Sequence, residues 1–504
     1  MTIDKQSDSQ SRVRITSPIK SIAIIGGGAS GAITLDTLKS LDKFDEIVLY
    51  ERRDVLGGVW YLDEKPNELD IEPGLSQNEL DPQLQIPKDI NAQEGKKLER
   101  STQERYIHTA SYETLRTNIP EHLMTYSDEK SWGADQSVYV EEEYVRGTAI
   151  QEYIERYVQR NKQHVVFNTT VESIDKDYSN GVDAKFKLTL RTELSETNED
   201  GKALDLWTER EFDSVIIATG HYHVPYIPDV PGLKDVYRLH PGKISHSKTF
   251  RITDDFKDQK LLIIGTRASG SDIAEIAVKT AKVVYQSKRS PGTAARWADV
   301  ENLFIKPKIE RYTVDPETKE ITVHFNDGTT ITDPDQIIYA TGFRFSYPFL
   351  KNLYPGFTTG YAVPDLYLHT FFTKDPRLTL VGVPTDAISF RAFEFQAVLV
   401  SRYLAGLVSL PPLRDQITWG NQRYRLYGDT RAYHTIEHNG KLEYLQSLVD
   451  LGGGVEPIDD RKIGRPFPVW TDFDLKKMKE ISEKLIKFFG VEVSDANGVT
   501  VPEK

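Results

Sequence analysis

Twice along this chain a short apolar run breaks into a glycine-rich turn and then into a helical pattern. The first copy is Ile22-Ala23-Ile24-Ile25-Gly26-Gly27-Gly28-Ala29-Ser30-Gly31, after which Ile33, Leu35, Leu38 and Leu41 share one helical stripe. The second is Leu261-Leu262-Ile263-Ile264-Gly265-Thr266-Arg267-Ala268-Ser269-Gly270. A strand, a G-x-G-x-x-G turn and a helix N-terminus form the βαβ cradle for a dinucleotide. The middle glycine lets backbone approach a pyrophosphate, and the helix amides complement its charge. Two such units predict an α/β chain with two Rossmann-like dinucleotide-binding domains. Gly26, Gly28, Ala29, Ser30 and Gly31 are the binding candidates of the first; Gly265, Ser269, Gly270, Ser271 and Asp272 are those of the second. The second copy carries Arg267 where a small residue is expected. Two readings of it stand: a bulky group that crowds the pyrophosphate, or a cation that turns outward and contacts it.

The residues behind the two units differ in charge. Roughly 20 residues past the first turn, the run Ile47-Val48-Leu49-Tyr50 closes on Glu51. The matching place in the second, behind Val283-Val284-Tyr285, carries Ser287-Lys288-Arg289. A carboxylate there accepts hydrogen bonds from ribose hydroxyls, which suits FAD or NAD, whereas a basic cluster suits the 2′-phosphate of NADP. Together they imply a flavin enzyme that binds FAD and is reduced by NADPH.

At 504 residues the chain has length for both domains and a large core. Hydrophobic residues at 38% and charged residues at 28% are those of an ordinary globular enzyme. A net charge of −13 argues against nucleic acid and anionic membrane surfaces as partners. No apolar run is long enough to span a bilayer. Residues 1–17 are polar, without the apolar stretch of a secretory signal, and read as a disordered tail; a cytoplasmic location is expected. The chain has no cysteine, which excludes a thiol relay, a disulfide scaffold and cysteine-held metal or iron–sulfur groups. No metal site is expected. Electrons must pass directly from the flavin to something small, such as oxygen or a quinone.

Two buried runs end in Ala-Thr-Gly, at Ala218-Thr219-Gly220 and Ala340-Thr341-Gly342, where the chain is expected to cross between domains. The resulting organisation is a discontinuous FAD domain at 18–222 and 340–470, with the NADP domain at 223–339 inserted in it. Ile150, Tyr153, Ile154 and Tyr157 predict a helix, and residues near 193–205 a polar hairpin. The stretch 63–105 is polar and proline-dotted, and reads as a partly disordered surface insertion. Residues 471–504 form a C-terminal helix and tail, with Leu475, Met478, Ile481, Leu485 and Phe488 at helical spacing.

Several segments occur in an order that resembles the flavin-containing monooxygenases, and their fungal branch most. They are Glu51-Arg52-Arg53 with Gly57-Gly58-Val59-Trp60, then Leu115-Arg116-Thr117-Asn118-Ile119-Pro120, then the identifying run Gly242-Lys243-Ile244-Ser245-His246-Ser247-Lys248-Thr249-Phe250, and Glu394-Phe395-Gln396. His240 stands where that run has a leading aromatic. The resemblance covers about residues 22–444. It implies an NADPH- and O2-dependent enzyme of the N,N-dimethylaniline monooxygenase type, acting through a C4a-hydroperoxyflavin on a soft nitrogen or sulfur of a small amine, sulfide or thiol. It also implies flavin contacts from Arg52, Gly58, Val59, Trp60, Thr117, Asn118, Ile119 and Gln396, with Asn118 beside the chemistry. A turn-forming role before Pro120 is the alternative for Asn118, and a core position the alternative for Trp60. His246 is expected to support the domain link rather than act as an acid or base. Three further readings stay open: a Baeyer–Villiger monooxygenase, whose identifying run ends in tryptophan where this chain has Phe250; an enzyme that N-hydroxylates amino acids; and a flavoprotein that binds both nucleotides without oxygenating, for which Arg267 speaks. The sequence is also compatible with a homo-oligomer.

Overall fold

The computed structural model describes residues 11–66, 71–91, 94–103, 105–135, 139–141, 144–181, 183–251, 256–289, 300–436 and 440–489. Two sheets organise it. The larger runs in the order Leu366–Tyr367, Phe371–Phe372, Leu378–Leu380, Ser214–Ile217, Ser21–Ile25, Glu46–Tyr50, Val165–Val166, and its last five strands are parallel. The smaller is wholly parallel, in the order Ile244–His246, Gln336–Tyr339, Lys260–Ile264, Val283–Ser287, Leu303–Lys306. Parallel strands are covered on both faces, which is why these runs read as continuous apolar stretches rather than alternating ones. Every strand of the smaller sheet lies in sequence between Ser214–Ile217 and Leu366–Tyr367. The chain is therefore α/β with two Rossmann-like domains, one inserted in the other.

The helices Ala29–Leu41, Gly147–Val158 and Ser389–Leu404 pack against the larger sheet through Ile33, Leu35, Ile150, Tyr153, Ile154, Val398 and Leu399. Arg465 ties them together. It reaches Asp36 at 2.9 Å, Asp128 at 2.5 Å and Glu394 at 2.6 Å, and the Glu394 side chain is wholly buried. The Glu394 of the recognised segment is thus a partner in a buried ion network.

Two expectations need correction. Residues 11–17 are not a loose tail: Arg12–Val13 pairs antiparallel with Leu410–Pro412, and Arg12 donates to the Ser409 hydroxyl at 2.7 Å. The stretch 63–105 is anchored where it is described. Its strand Lys96–Glu99 joins the antiparallel sheet of Ala203–Phe212, Phe186–Thr197 and Thr169–Lys176. Arg100 meets Asp205 at 2.9 Å and Arg105 meets Glu172 at 2.9 Å, and both carboxylates are also held by Arg191. Strand pairing, these ion pairs to the same sheet and the buried Ile71 and Leu84 together order the described part of a segment whose composition reads as loose. The polar hairpin expected near 193–205 is present: Phe186–Thr197 and Ala203–Phe212 pair antiparallel, with the turn between Thr197 and Ala203.

The C-terminal helix spans Asp472–Phe489, with the Phe473 ring against His122 and Leu475 exposed. Among the described residues, no helix is long and apolar enough to cross a membrane.

Candidate nucleotide-binding sites

The two glycine turns share their backbone torsions and hydrogen bonds. In the first, Gly26 has φ +107° and its amide donates to the Tyr50 carbonyl at 2.9 Å. In the second, Gly265 has φ +119° and donates to the Ser287 carbonyl at 2.9 Å. A Cβ on Gly26 would lie 2.7 Å from the Ala218 carbonyl oxygen, and one on Gly265 2.5 Å from that of Ala340. Each Ala-Thr-Gly therefore packs its alanine carbonyl onto the opening glycine of a nucleotide turn. The closing glycines fit as tightly: a Cβ on Gly31 would fall 1.9 Å from the Gly26 oxygen, and one on Gly270 2.2 Å from the Gly265 oxygen. Only glycine lets strand and helix cross this closely.

The helices Ala29–Leu41 and Ala268–Ala277 both start without a side-chain cap and without an acidic residue in the first turn. Uncapped first-turn amides are what a diphosphate satisfies. Beside the first turn, the Gly57-Gly58 bend comes so close that a Cβ on Gly28 would stand 3.4 Å from the Gly58 Cα, leaving a side-chain-free cradle. Glu51 is buried, taking the Gly27 amide at 2.7 Å and the Arg53 amide at 3.0 Å, so it shapes the turn and keeps a free lone pair on each oxygen for a hydroxyl. These features fit the adenosine diphosphate half of FAD.

Glu51 has a counterpart. Its amide donates to the Val166 carbonyl of the next strand at 2.9 Å, and the Lys288 amide donates to the Lys306 carbonyl of its next strand, also at 2.9 Å. Glu51 and Lys288 thus occupy equivalent positions with opposite charge, and Arg289 follows on the exposed side. The second turn, too, fits a nucleotide, one that brings an extra phosphate.

Other expected site residues divide into those facing open space and those already engaged. Ser30 is buried and donates to the Ala218 carbonyl at 3.2 Å, while the Ala29 carbonyl receives the Tyr126 hydroxyl at 2.6 Å. Arg52 donates to the Tyr106 carbonyl at 3.2 Å, and burial with the adjacent Arg53 cation lowers it to about 10. Val59 and Trp60 are half-buried in the short turn Gly58–Trp60. Ser271 donates to the Thr266 carbonyl at 2.8 Å and Ser287 to the Pro307 carbonyl at 2.8 Å, so both hydroxyls brace the second turn. Ser269 is half-buried beside them.

Gln396 is a correction. It is fully buried, accepts the Gly382 amide at 3.0 Å and donates to Thr370 at 2.8 Å and Tyr444 at 3.2 Å. Both amide hydrogens and the carbonyl oxygen are engaged by protein and the side chain is sealed from the surface, so it positions the Gly382 bend, whose Cβ position lies 2.9 Å from Ser30, instead of touching a cofactor.

The Tyr112 to Pro120 segment bridges the two sites. Tyr112 donates its hydroxyl to Asp272 at 2.5 Å and Arg116 approaches Glu275 at 3.8 Å, both on the second glycine helix. At its other end Thr117 exchanges hydrogen bonds with Val145, at 2.9 and 3.2 Å, and Ile119 packs on the core of the larger sheet. Asn118 between them is exposed, and among the described residues its side chain has no hydrogen-bond partner. Sequence reasoning did not reach Gln286, which is buried and donates to the Gly265 and Gly270 carbonyls at 2.9 and 3.1 Å. No local pattern signals it, since its partners lie on the preceding strand–helix turn.

A family model for pyridine nucleotide-disulphide oxidoreductases matches residues 114–382. The chain is 28% identical over 454 residues to flavin-containing monooxygenase ustF2 of Aspergillus flavus, covering 82% of this chain and 88% of that one. It is 29% identical over 498 residues to flavin-containing monooxygenase iboF of Amanita muscaria, covering 90% and 88%. The chain belongs to the pyridine nucleotide-disulphide oxidoreductase family, and over most of its length it is similar to flavin-containing monooxygenases. Among solved structures, S-allyl-L-cysteine S-oxygenase of Allium sativum superimposes with a TM-score of 0.70 at 24% identity, covering 93% of each chain, which shows the shared fold. The chain is a flavoprotein monooxygenase that binds FAD and NADP(H). With no cysteine in the chain, it shares the nucleotide domains of the disulphide reductases without their thiol chemistry. Among the described residues, no cluster of three or more metal-ligating side chains occurs.

His246, from the identifying run, is fully buried where the domains join. Its Nδ1 accepts the Lys248 amide at 3.1 Å, so its Nε2 carries the proton and donates to the Gly342 carbonyl at 2.9 Å. It clamps the second crossing and is not poised for acid–base work: burial lowers it from 6.5 to about 3. Burial likewise lowers His221 to about 4 and holds His223, His369 and His434 well below the usual range. These imidazoles stay neutral in the fold but take up protons once unfolded. The stability they confer is complete above pH 6.5 and is lost as pH falls toward the folded value. For His246 the loss is about 1.4 kcal/mol per pH unit. The thermal midpoint should fall steadily from about pH 7.5 to about pH 5.5, and His246→Gln should flatten the slope. An unaltered slope in that variant would refute the buried-neutral assignment.

Proposed function

We propose that this chain uses NADPH and O2 to place one oxygen atom on a soft nucleophilic nitrogen or sulfur of a small molecule. Bound FAD supplies the redox chemistry, taking reducing equivalents from NADPH and activating O2. The protein binds, orients and protects. The glycine turns with their uncapped helices hold the two diphosphates, and Glu51 faces the flavin-side ribose. Lys288 and Arg289 select the 2′-phosphate, and the exposed Asn118 amide, carried between the two domains, orients the reacting groups. A neutral thioether or tertiary amine is already nucleophilic, so no general base on the protein is required to activate it.

The observation that carries the cofactor choice is the equivalence of Glu51 and Lys288, the same backbone position with opposite charge. Lys288→Ala with Arg289→Ala should raise KM for NADPH strongly and leave that for NADH nearly unchanged, each charge-assisted contact contributing roughly 1.5–3 kcal/mol. Equal losses with both cofactors would show that the pair serves folding rather than selection.

For the substrate class, the relative from Allium sativum is by its name an oxygenase of the sulfur in S-allyl-L-cysteine, which supports thioethers as the first compounds to offer. The test is product analysis of the FAD-loaded enzyme with NADPH, O2 and, separately, a thioether, a tertiary amine and a ketone. Sulfoxide or N-oxide is the expected product. Ester or lactone from the ketone without either oxide would turn the assignment to Baeyer–Villiger chemistry, and NADPH oxidation with no oxygenated product to a non-oxygenating flavoprotein.

A further inference from the structure

We propose that Arg267 is a ligand of the NADP(H) diphosphate that Asp386 holds in reserve, coupling capture of that cofactor to the contact between the two domains. The inference rests on reading the second glycine turn as the NADP(H) site.

Arg267 and Gly28 are equivalent residues. Gly28 precedes its helix with φ −82° and ψ −169°, Arg267 with φ −84° and ψ −171°. This is extended backbone open to any side chain, so glycine at 28 answers to the approach of Gly58, not to the chain's own torsions. The second turn carries a long cation at this position, directly ahead of the uncapped amides of Ala268–Ala277.

The guanidinium is not spent on a buried structure. Its side chain is 65% exposed, and Nη1 donates to Asp386 Oδ2 at 2.9 Å. Asp386 belongs to the flavin-side domain, between the Leu378–Leu380 strand and the Ser389–Leu404 helix, and stands at φ +57°. The same carboxylate receives Arg431 at 3.1 Å. One carboxylate therefore serves two cations, one from each domain. Release of Arg267 leaves Asp386 paired with Arg431, so no charge is stranded.

An exposed pair of this kind holds weakly. A diphosphate offers more charge, at a helix N-terminus that already favours anions, and bonds guanidinium strongly. Exchange of Arg267 from carboxylate to diphosphate follows, and with it loss of one tie between the domains as the cofactor enters.

The test titrates NADP⁺ into the FAD-loaded enzyme and follows the flavin absorbance change, for Arg267→Ser, Asp386→Asn and the double variant, each checked for FAD content. Arg267→Ser should weaken NADP⁺ binding about tenfold. Asp386→Asn should tighten it severalfold, and should do nothing in the Arg267→Ser background, because it acts only through Arg267. Adenosine 2′,5′-bisphosphate, which lacks the second phosphate of the bridge, should lose less from Arg267→Ser than NADP⁺ does. Unchanged or tighter binding in Arg267→Ser overturns the proposal. So does an Asp386→Asn effect that is absent, weakening, or retained in the double variant. Failure of the site reading has its own signature: Lys288→Ala with Arg289→Ala would then weaken neither NADP⁺ nor the bisphosphate.

Discussion

Gly28→Val should purify folded but nearly colourless, retaining less than about a tenth of the flavin of the parent protein. The backbone at Gly28 sits in an extended conformation that valine adopts readily, and a Cβ there meets the Gly58 backbone no closer than 3.4 Å, at Cα. The fold therefore tolerates the first carbon, while the γ-carbons enter the gap between Gly28 and the Gly57-Gly58 bend. That gap is where the diphosphate must approach. Gly31→Ala provides the contrast, because its Cβ would lie 1.9 Å from a backbone carbonyl of its own strand–helix crossing. That variant should lose stability and flavin together. The ratio of flavin to protein absorbance, set beside the thermal midpoint of the flavin-free parent, separates the two cases. A yellow Gly28→Val protein with full FAD would show that the first glycine turn does not hold the cofactor.

The difference between those two glycines indicates what the sequence can and cannot reveal. Glycine spacing, the apolar strands before it and the charge of Glu51 against Lys288 are local along the chain, so the two-domain fold and both nucleotide turns are legible in it. Contacts between distant residues are not. Nothing near Gln286 announces that it braces a glycine turn, and nothing near Arg465 announces Asp36, Asp128 and Glu394. The described part of segment 63–105 misleads for the same reason, since its strand Lys96–Glu99 and its Arg100 and Arg105 are held by residues distant along the chain. Gln396 shows the reverse error. Its place in a recognised segment implies cofactor contact, yet its amide is consumed by Gly382, Thr370 and Tyr444. Motif membership marks a residue as needed without saying what it touches.

Asn118→Ala is where those limits matter most, because the two readings of the residue now differ in what they require of the structure. A turn-forming asparagine spends its side chain on nearby backbone, and losing it costs about 1 kcal/mol. Asn118 is exposed and spends its amide on no described residue, so the alanine variant should match the parent in FAD content and fall within about 0.5 kcal/mol of its stability. Its neighbours fix where it stands: Tyr112 and Arg116 fasten one side of the segment to the second glycine helix, and Thr117 the other to Val145. An unspent amide on a strap tied to both nucleotide domains is placed to bond bound groups. Removing one such donor from an active site typically costs ~10²–10³ in rate. The expected result is near-normal NADPH consumption, oxygenated product reduced by that order, and H2O2 released in its place. Measuring all three quantities in one reaction with a thioether decides the matter. Unchanged coupling in a stable Asn118→Ala enzyme would remove Asn118 from the site, and lowered stability with coupling intact would return it to the turn.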